Sequence, residues 1–597
     1  MRLRPLIRLF VTLLLIFVTQ KILFMFFNMG AADGVPFLAC VSVLWHGLRL
    51  DIASACYLTA IPLVVTIVSL FFRRFPLRKV LSPYFLIVSI VLALIFVADT
   101  LLYRYWGAKV DANDLFYAAK PKDMLASLPL WGVILAFAVV AVFSFLYYWA
   151  LRRTAPPRIE DPRPRSRRLL PGLLYLPLGA LLFLGMRGSV EESTANPSYA
   201  YFSSHAFCNH AALNPAFNIF HSLFKSQDLR SEWDTLSEAE VDGLLGNSFD
   251  PDPTLADTLL RIERPNVLLI VWEGAGMGMV GSDSVAPNLW RLIPEGVYFS
   301  NCYANSFRTD RGLVSLLSGW LGLPTLSLMK RTDLCRHLPS IAASLRDVGY
   351  ATSFAYGGDI DFTNMRLYFS ETGFSRVTGE EAFPTGLRTS AWGVPDEHLL
   401  TPALIPADSH FFSAALTLSS HEPWQVPTHR LADAKRNAFA YSDSCLGALV
   451  AQLKASPRWD SLLVVIIPDH GIPFEGGQRA HDALVAHIPI LWIGGAIKTP
   501  RTIDCLMSQS DLAATLLAQM GLDISRYPFS RNVLGTQYPA RRQFATCSSK
   551  NQVNLITPDG STVYDCVSRT GGEETSFIEA LLQRLYHTSA DLSIPKK

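Results

Sequence analysis

The N-terminal third of the chain contains five apolar segments, each about as long as a membrane span. A bilayer core needs about 20 consecutive apolar residues in a helix, because lipid offers no partner to an exposed backbone N–H or C=O. The first segment lacks a small-residue cleavage site and four more follow it, so it fits a membrane anchor better than a signal peptide. We therefore predict a domain of five transmembrane helices over residues 1–186. The segments are Leu6–Phe27, Ile52–Phe72, Leu81–Tyr103, Leu130–Trp149 and Leu169–Met186.

Basic residues predict the orientation of these spans. They cluster before the first span, between the second and third, and between the fourth and fifth. With five spans, all three clusters lie on one side, which the positive-inside rule makes cytoplasmic. We therefore expect a multi-pass protein of the cytoplasmic (inner) membrane, whose C-terminal region faces the periplasm or the cell exterior. The residues are Arg2, Arg4, Arg8, Arg73, Arg74, Arg78, Lys79, Arg152, Arg153, Arg158, Arg163, Arg165, Arg167 and Arg168.

Two charged residues lie in or beside the apolar segments. Lys21 is inside the first segment, and Asp51 begins the second. Intramembrane charges often mark function, but such residues also pair with each other or reach the interface. We favour the structural explanation for both. The net charge of +2 for 597 residues gives no indication of a nucleic-acid partner.

The rest of the chain changes in character twice. Residues 187–262 mix polar stretches with the amphipathic helix candidate "FNIFHSLFK" and a proline-containing connector, and we predict a juxtamembrane linker there. From residue 263, short apolar runs such as "NVLLIVW", "FFSAALTLSS" and "LLVVIIP" alternate with helical patterns. This alternation is typical of an α/β domain with a mainly parallel central sheet. Residues 263–597 are therefore predicted to form an extracytoplasmic α/β domain.

Polar residues follow several of these predicted strands. Glu273 follows "NVLLIVW", His421 follows "FFSAALTLSS", and Asp469 with His470 follows "LLVVIIP". Functional sites of open α/β sheets form just beyond the carboxyl ends of strands. Carboxylate and imidazole groups suit a divalent transition metal, and metal coordination can activate a hydroxyl nucleophile. Thr309, which opens a predicted helix in "NSFRTDRGLVSLLSGW", is the candidate nucleophile.

The residues around Thr309 suit a phosphate group. A helix N-terminus presents N–H groups to an anion, and Arg308 and Arg311 can pair with phosphate oxygens. Each residue taken alone has a simpler explanation, since Thr309 is also a good N-cap and "DHG" also occurs in turns. Their joint occurrence at strand ends favours a catalytic site.

The motif order resembles one known family. "NVLLIVWEG", "FRTDRG", "SSHEPW", "VVIIPDHG", "AHIPILWIGG" and "QSDLAATLLAQMG" occur in the order seen in the lipoteichoic acid synthase branch of the alkaline phosphatase/sulfatase superfamily. The resemblance implies a sulfatase-like catalytic domain after five spans and a linker. It also implies one metal ion, usually Mn²⁺, although Zn²⁺ and Mg²⁺ suit the same ligands. The implied metal ligands are Glu273, Thr309, Asp469 and His470.

The same resemblance implies a reaction in the cell envelope. Thr309 would attack the phosphodiester of a phospholipid, typically phosphatidylglycerol, and diacylglycerol would leave. The phosphoglycerol–threonine intermediate would then pass its head group to a hydroxyl of a glycan, lipid or polymer acceptor. His421 resembles the family's substrate-binding histidine and would contact the phosphoglycerol or protonate a leaving group.

The predicted glycerol pocket departs from the family pattern. Where the family often has a Trp-Asn-Arg run, this chain has "YGGDIDFTNMRLYF". Asp359, Asp361, Asn364 and Arg366 are candidates to line the pocket, and each also has an ordinary explanation as a loop or cap residue. His481, in a polar loop, is a candidate phosphate contact, whereas His487 begins an apolar strand and has a simple structural explanation.

The sequence bears differently on three alternatives to a phosphoglycerol transferase. A sulfatase is excluded because the site has Thr-Asp-Arg-Gly where a Cys/Ser-x-Pro-x-Arg context is needed. A phosphoethanolamine transferase acting on a lipid or glycan remains open, because it shares the five spans and the threonine nucleophile. A catalytically inactive lipid-binding regulator is less favoured, because all four predicted metal ligands are present. The oligomeric state is not predicted.

Overall fold

The computed structural model describes residues 3–32, 35–107, 109–110, 130–164, 170–190, 193–224, 228–407 and 410–592. The chain divides into two compact units, Met1–Ser226 and Gln227–Lys597. Some residues of the topology prediction lie outside the described residues. They are Arg2, Arg165, Arg167, Arg168 and Leu169, the first residue of the fifth predicted span.

The N-terminal unit is built on apolar helices. Among the residues that the structure describes, four of these helices are long and apolar enough to cross a membrane. A shorter apolar helix of 13 residues, α5 (Tyr175–Arg187), follows the 3₁₀ turn Leu170–Leu174. The structure thus confirms apolar N-terminal helices where the sequence predicts them, four of full spanning length and a fifth that is short. The helices are α1 (Leu3–Phe27), α2 (Phe37–Ser69), α3 (Leu77–Trp106), α4 (Leu130–Thr154) and α5 (Tyr175–Arg187); strands β1 (Arg74–Phe75) and β2 (Ile159–Glu160) pair beside them.

Two buried ion pairs lie among these helices. Lys21 of α1 contacts Asp51 of α2, and both side chains are almost fully buried. Lys109 contacts Asp99 in the same way, and its Nζ lies 4.0 Å from the centroid of the Phe24 ring. A charge in an apolar interior is tolerated when it is paired, and the Lys21–Asp51 contact therefore agrees with the structural role expected for both residues.

The first part of the predicted linker belongs to the N-terminal unit. Helices α6 (Ala206–Ala212) and α7 (Pro215–Leu223) pack on the apolar helices, and α7 covers most of the predicted "FNIFHSLFK" helix. Asn214, the N-cap of α7, donates from Nδ2 to Asp51 Oδ1 at 2.8 Å. His210 Nδ1 lies 3.0 Å from Tyr103 Oη. These contacts hold the segment against α2 and α3.

The C-terminal unit contains a nine-stranded sheet. Its strand order is β10-β4-β9-β8-β3-β7-β5-β6, with β11 paired to β4. β9 is antiparallel to both of its neighbours, and the other pairings are parallel. The predicted mainly parallel sheet is therefore confirmed. The strands are β3 (Asn266–Trp272), β4 (Val297–Tyr303), β5 (Ala351–Tyr356), β6 (Arg376–Thr378), β7 (Phe411–Leu416), β8 (Leu462–Pro468), β9 (His487–Ile493), β10 (Arg501–Ile503) and β11 (Met507–Ser508).

Helices cover this sheet, and a second sheet follows it. One core cluster joins the buried side chains of β3 and β8 to the apolar face of helix α17 (Ala434–Lys454). This burial explains why the sequences of the two strands are continuous apolar runs. The helices are α8 (Leu229–Glu232), α9 (Glu238–Leu245), α10 (Met277–Val280), α11 (Pro287–Leu292), α12 (Thr309–Ser318), α13 (Thr332–Cys335), α14 (Ile341–Arg346), α15 (Met365–Glu371), α16 (Asp396–Leu399), α17 (Ala434–Lys454), α18 (Ala483–Ala486), α19 (Asp511–Gln519) and α20 (Thr575–Asp591); the second sheet is β12 (Ala545–Ser549), β13 (Gln552–Thr557) and β14 (Gly560–Asp565).

Candidate active site

Three ionisable side chains meet at the carboxyl ends of two neighbouring strands. Strand β3 ends at Trp272, which pairs in register with Pro468 at the end of β8, so the residues that follow each strand lie side by side. One ligand atom from each of Glu273, Asp469 and His470 lies within 4.8 Å of the others. His470 Nε2 is 3.4 Å from Glu273 Oε1 and 3.4 Å from Asp469 Oδ2. All three residues are buried.

Thr309 lies against this cluster. It is the first residue of α12, after Arg308 in extended conformation, and its Oγ1 donates to Glu273 Oε2 at 3.2 Å. Helix α12 approaches the end of β8 very closely, because a Cβ at Gly312 would lie 2.0 Å from the backbone oxygen of Asp469. The structure therefore brings together the four residues that the sequence predicts as nucleophile and metal ligands.

Backbone and side-chain hydrogen bonds fix the cluster in place. The N–H groups of Gly274 and His470 both donate to Asp469 Oδ1 at 2.9 Å. The N–H of Glu273 donates to Thr417 Oγ1 at 3.0 Å, and Ser420 Oγ donates to the carbonyl oxygen of Glu273 at 2.6 Å. Asp469 Oδ1 is thus held by backbone N–H groups, and the backbone of Glu273 is held by two hydroxyl groups.

Three residues that support the cluster were not predicted from the sequence. Thr417 and Ser420 lie between the end of β7 and His421, and Gln509 opens the "QSDLAATLLAQMG" segment. Gln509 Nε2 donates to the carbonyl oxygens of Pro468 and Asp469, each at 2.7 Å. Both stretches contain motifs of the family, and these motifs were the sequence signal that could have pointed to the three residues. The individual hydrogen bonds could not be predicted, because they join distant parts of the chain.

The electrostatics of the cluster indicate a need for positive charge. Burial by itself raises the pKa of Glu273, but the hydrogen bond and charge of His470, with a smaller effect of His421, lower it to about 2. Burial and the Glu273 carboxylate raise the pKa of Asp469 to about 7. Burial lowers the pKa of His470, but Asp469 and Glu273 outweigh it and raise that pKa to about 9. Two buried carboxylates thus hold a proton on the imidazole between them.

The same residues fit a divalent metal ion. Asp469 Oδ2 is buried and has no hydrogen-bond partner among the residues that the structure describes. A buried carboxylate oxygen without a partner is costly, and a cation placed among these ligand atoms would satisfy it. Two carboxylates, one imidazole and one hydroxyl suit Mn²⁺, Zn²⁺ or Mg²⁺.

Two arginines flank the nucleophile. Arg308 is exposed and Arg311 is half-buried, and their guanidinium groups lie 5.7 and 5.9 Å from the centroid of the Phe307 ring. Asp310, which lies between them in the sequence, instead pairs with Lys330 at 2.8 Å. The carboxylate of Asp310 is thus neutralised away from the metal ligands, and the two arginines remain the predicted phosphate contacts.

His421 lies in the turn after β7. Its Nδ1 donates to the carbonyl oxygen of Glu422 at 2.8 Å, which leaves Nε2 as the atom for a substrate. Its ring centroid is 4.2 Å from that of Trp392. His421 also contributes to the lowered pKa of Glu273, after the larger effect of His470.

The predicted glycerol-pocket residues differ in their surroundings. Arg366 donates to Asp361 Oδ1 at 2.8 Å and to Glu381 Oε1 at 2.9 Å, so two carboxylates already bind its guanidinium. Asp359 Oδ1 accepts from the N–H of Asp361 at 3.0 Å. Asn364 is buried in a left-handed conformation (φ 68°), and neither polar atom of its side chain has a hydrogen-bond partner in the described part of the chain. Asp359 Oδ2 is also buried without a hydrogen-bond partner among the described residues, so Asn364 and Asp359 are the pocket candidates with unused hydrogen-bonding capacity.

The two downstream histidines are held by different sheets. His481 is buried, and its Nδ1 lies 2.9 Å from Ser549 Oγ at the end of β12. His487 Nε2 donates to the carbonyl oxygen of Ser300 on β4 at 2.8 Å, in line with the structural role expected for it.

Comparison with known proteins identifies the class of this domain. Residues 265–522 match the family model for sulfatases. Phosphoglycerol transferase I of Xanthomonas euvesicatoria pv. vesicatoria (strain 85-10) is 27% identical over 288 residues, which cover 42% of this chain and 40% of that protein. Phosphoglycerol transferase I of Xanthomonas axonopodis pv. citri (strain 306) is 27% identical over 221 residues, covering 33% and 31%. The chain thus matches less than half the length of these curated relatives.

A solved structure agrees with the fold. An alkaline phosphatase superfamily protein from Vibrio parahaemolyticus has a TM-score of 0.54 and 25% sequence identity, covering 62% of this chain and all of that one. Residues 265–522 therefore resemble the alkaline phosphatase/sulfatase superfamily, and they follow an N-terminal unit of apolar helices. The curated relatives are named phosphoglycerol transferases, in line with the likeness to the lipoteichoic acid synthase branch that the motifs indicate.

Proposed function

We propose that this chain is a membrane-bound, metal-dependent phosphoglycerol transferase. It moves a phosphoglycerol head group from phosphatidylglycerol to an acceptor hydroxyl through a covalent intermediate on Thr309. The observation that carries the proposal is the contact of Thr309 Oγ1 with Glu273 Oε2 at 3.2 Å, inside a buried cluster of two carboxylates and an imidazole. The names of the curated relatives support phosphoglycerol as the head group.

In this proposal one divalent metal ion, preferably Mn²⁺ and otherwise Zn²⁺ or Mg²⁺, would be held by Glu273, Thr309, Asp469 and His470. The bound metal supplies Lewis acidity, which stabilises the deprotonated Thr309 oxygen and the charge that develops on phosphate. The hydrogen bonds from Gly274 and His470 to Asp469 hold one ligand oxygen in a fixed position before the substrate arrives.

The first half of the reaction transfers the head group to the enzyme. Thr309 Oγ1 gives its proton to water and forms a bond to the phosphorus of the donor, and the bond from phosphorus to the diacylglycerol oxygen breaks. His421 Nε2 gives a proton to that leaving oxygen. Arg308, Arg311 and the N–H groups at the start of α12 bind the phosphate oxygens.

The second half regenerates the enzyme. An acceptor hydroxyl gives its proton to His421 and attacks the phosphorus. The bond between phosphorus and Thr309 breaks, and Thr309 Oγ1 takes back a proton from water. Asp359 and Asn364 line the glycerol pocket, and Arg366 closes it through its ion pairs with Asp361 and Glu381. His481 contacts phosphate through Nε2, since Nδ1 is already bonded to Ser549.

The partners and location follow from the topology prediction. The protein crosses the cytoplasmic membrane several times, with the catalytic domain on the periplasmic or extracellular side. The membrane supplies the phospholipid donor, and a glycan, lipid or polymer supplies the acceptor hydroxyl.

A vesicle assay tests the proposal. Full-length protein with Mn²⁺ is reconstituted with phosphatidylglycerol or with phosphatidylethanolamine, and diacylglycerol release and the intact mass of the protein are measured. We expect release from phosphatidylglycerol and a phosphoglycerol adduct that Thr309→Ala abolishes. Thr332→Ala is the matched control, because Thr332 is also the half-buried first residue of a helix in the same unit. Release from phosphatidylethanolamine alone would overturn the head group, and turnover by Thr309→Ala would overturn the mechanism.

A further inference from the structure

The N-terminal unit contains a cavity that the proposed transfer reaction does not use. It has a volume of about 640 Å³ and lies between α1, α2 and α5. Cavities of this size are typical of sites for small molecules. Its walls are almost entirely apolar, with Arg49 as the one ionisable basic residue. Apolar lining residues include Leu6, Ile7, Phe10, Ile52, Leu181 and Leu184.

The cavity is long, and Arg49 lies at one end of it. Lys21 Nζ is 3.4 Å from the carbonyl oxygen of Gly47, so Arg49 on α2 is near the level of Lys21 on α1. The α1 residues that line the cavity, Leu3 to Phe10, precede Lys21 by 11 to 18 residues and therefore lie roughly 16–27 Å farther along the helix. The shape is an apolar slot with a cation at its end.

The guanidinium of Arg49 is held in place by the chain. Its Nε donates to the carbonyl oxygen of Gly188 at 3.1 Å, and its carbon lies 3.5 Å from the centroid of the Tyr199 ring. An arginine fixed in this way presents a planar fork of donors that matches phosphate oxygens. Gly188 and Ser189 complete the lining around it.

We propose that this slot binds one acyl chain of a membrane phospholipid, with the lipid phosphate paired to Arg49. Hydrocarbon is the solvent around helices of this length and composition. An apolar slot therefore suits an acyl chain, and a cation at its end suits the one charged group that every phospholipid carries. The site lies entirely within the N-terminal unit, so it does not depend on the proposed chemistry at Thr309.

Photolabelling tests the site. Full-length Thr309→Ala protein, which cannot consume lipid under the proposed mechanism, is placed in phosphatidylcholine nanodiscs with a small fraction of phosphatidylglycerol that carries a diazirine on one acyl chain. Mass spectrometry then locates the label. We expect it on residues 3–10 and 178–190, above the level on other apolar helix faces.

Two matched variants separate a specific site from ordinary lipid contact. Leu181 lines the slot and Phe183 does not, although both lie on α5 with similar exposure, 63% and 67%. Leu181→Trp should reduce slot labelling about tenfold by filling the slot, whereas Phe183→Trp should leave it unchanged. Both substitutions are on exposed positions, so melting temperatures should match the parent protein.

The role of Arg49 has its own variants. Arg49→Gln should weaken labelling about tenfold, the effect of losing one charge-assisted phosphate contact, and Arg49→Lys should retain most of it. Uniform labelling of all apolar faces, or labelling that Leu181→Trp leaves unchanged, would overturn the site. Equal labelling of the Gln and Lys variants would overturn the phosphate contact. If the slot is labelled as expected but wild-type protein releases no diacylglycerol, the proposed function is contradicted and the lipid site is not.

Discussion

Gly312 offers a direct measure of how closely the nucleophile helix must lie against the metal ligands. A Cβ at this position would be 2.0 Å from the backbone oxygen of Asp469, where ordinary contacts begin at 3.4 Å. The Cβ would thus lie 1.4 Å closer than an ordinary contact allows. The atom that it would meet belongs to the backbone at the end of a central strand, so it cannot move aside as a flexible side chain could. Gly312→Ala must therefore displace α12, and Thr309 with it, from Glu273 and Asp469.

The expected loss of activity follows from that displacement. A misplacement of about 1 Å can cost about 100-fold in rate, so we expect Gly312→Ala to lower kcat for diacylglycerol release by about two orders of magnitude. Overpacking at a closely packed site costs about 1–3 kcal/mol. Helix propensity acts in the opposite direction, because Ala is favoured over Gly in a helix by about 1 kcal/mol, so the net destabilisation should be modest and the protein should remain folded.

Gly243 is the matched control for this experiment. It lies inside helix α9 of the same unit, and a Cβ there would have nothing within 4 Å. Gly243→Ala should therefore keep full activity and raise the melting temperature slightly. The assay is diacylglycerol release from phosphatidylglycerol vesicles, with thermal unfolding measured in parallel. If Gly312→Ala were as active as Gly243→Ala, the close approach of α12 to Asp469 would be wrong.

Two further predictions follow from buried charges. Glu273→Gln removes one carboxylate from the cluster, so elemental analysis after dialysis should find well below one equivalent of bound Mn²⁺. Glu422→Gln, at an exposed residue next to His421, should keep its metal. Equal metal content in the two variants would contradict Glu273 as a ligand. Lys21→Met leaves the buried Asp51 without its ion-pair partner and should cost about 3–5 kcal/mol, whereas the Lys21→Met/Asp51→Leu double variant should recover most of that loss. A double variant as unstable as the single one in detergent melting curves would contradict a purely structural pair.

The central sheet is predictable from sequence because of its burial. β3 and β8 are buried on both faces, so their sequences are continuous apolar runs bounded by Pro and Gly, and the next residues lie at the edge where sites form. Glu273, Asp469 and His470 are found by this argument alone. The direction of β9 has no such local signal, since it depends on pairing with β4, almost 200 residues earlier in the chain.

The boundary of the membrane unit is also set by long-range contacts. The segment that holds α6 and α7 has the mixed polar composition of a linker, yet Asn214 and Asn218 bond to Asp51 and to the carbonyl oxygen of Val110. Hydrogen bonds between residues more than 100 positions apart leave no periodic pattern. The ion pairs of Arg366 are hidden from sequence for a similar reason, because Glu381 is 15 residues away in an irregular segment.

Gln509 is a buried residue that we expect to support the site as well as the fold. Its Nε2 donates to the carbonyl oxygens of Pro468 and Asp469 at 2.7 Å each, and its Oε1 accepts from the N–H of Asn305 at 3.4 Å. It thus links the end of β8 to the segment that leads to Thr309. Gln509→Leu keeps the approximate volume but leaves these buried groups unsatisfied, at about 1–3 kcal/mol each.

A second buried glutamine provides the comparison. Gln519, on α19 away from the cluster, accepts from the N–H of Leu259 at 2.7 Å and donates to the carbonyl oxygen of Asp257 at 2.9 Å. Gln519→Leu and Gln509→Leu should therefore destabilise the protein to a similar extent. Only Gln509→Leu should also lower kcat at saturating lipid and weaken Mn²⁺ binding, because only Gln509 positions the backbone of Asp469. Equal kcat and metal affinity in the two variants would mean that Gln509 stabilises the fold without positioning the ligand.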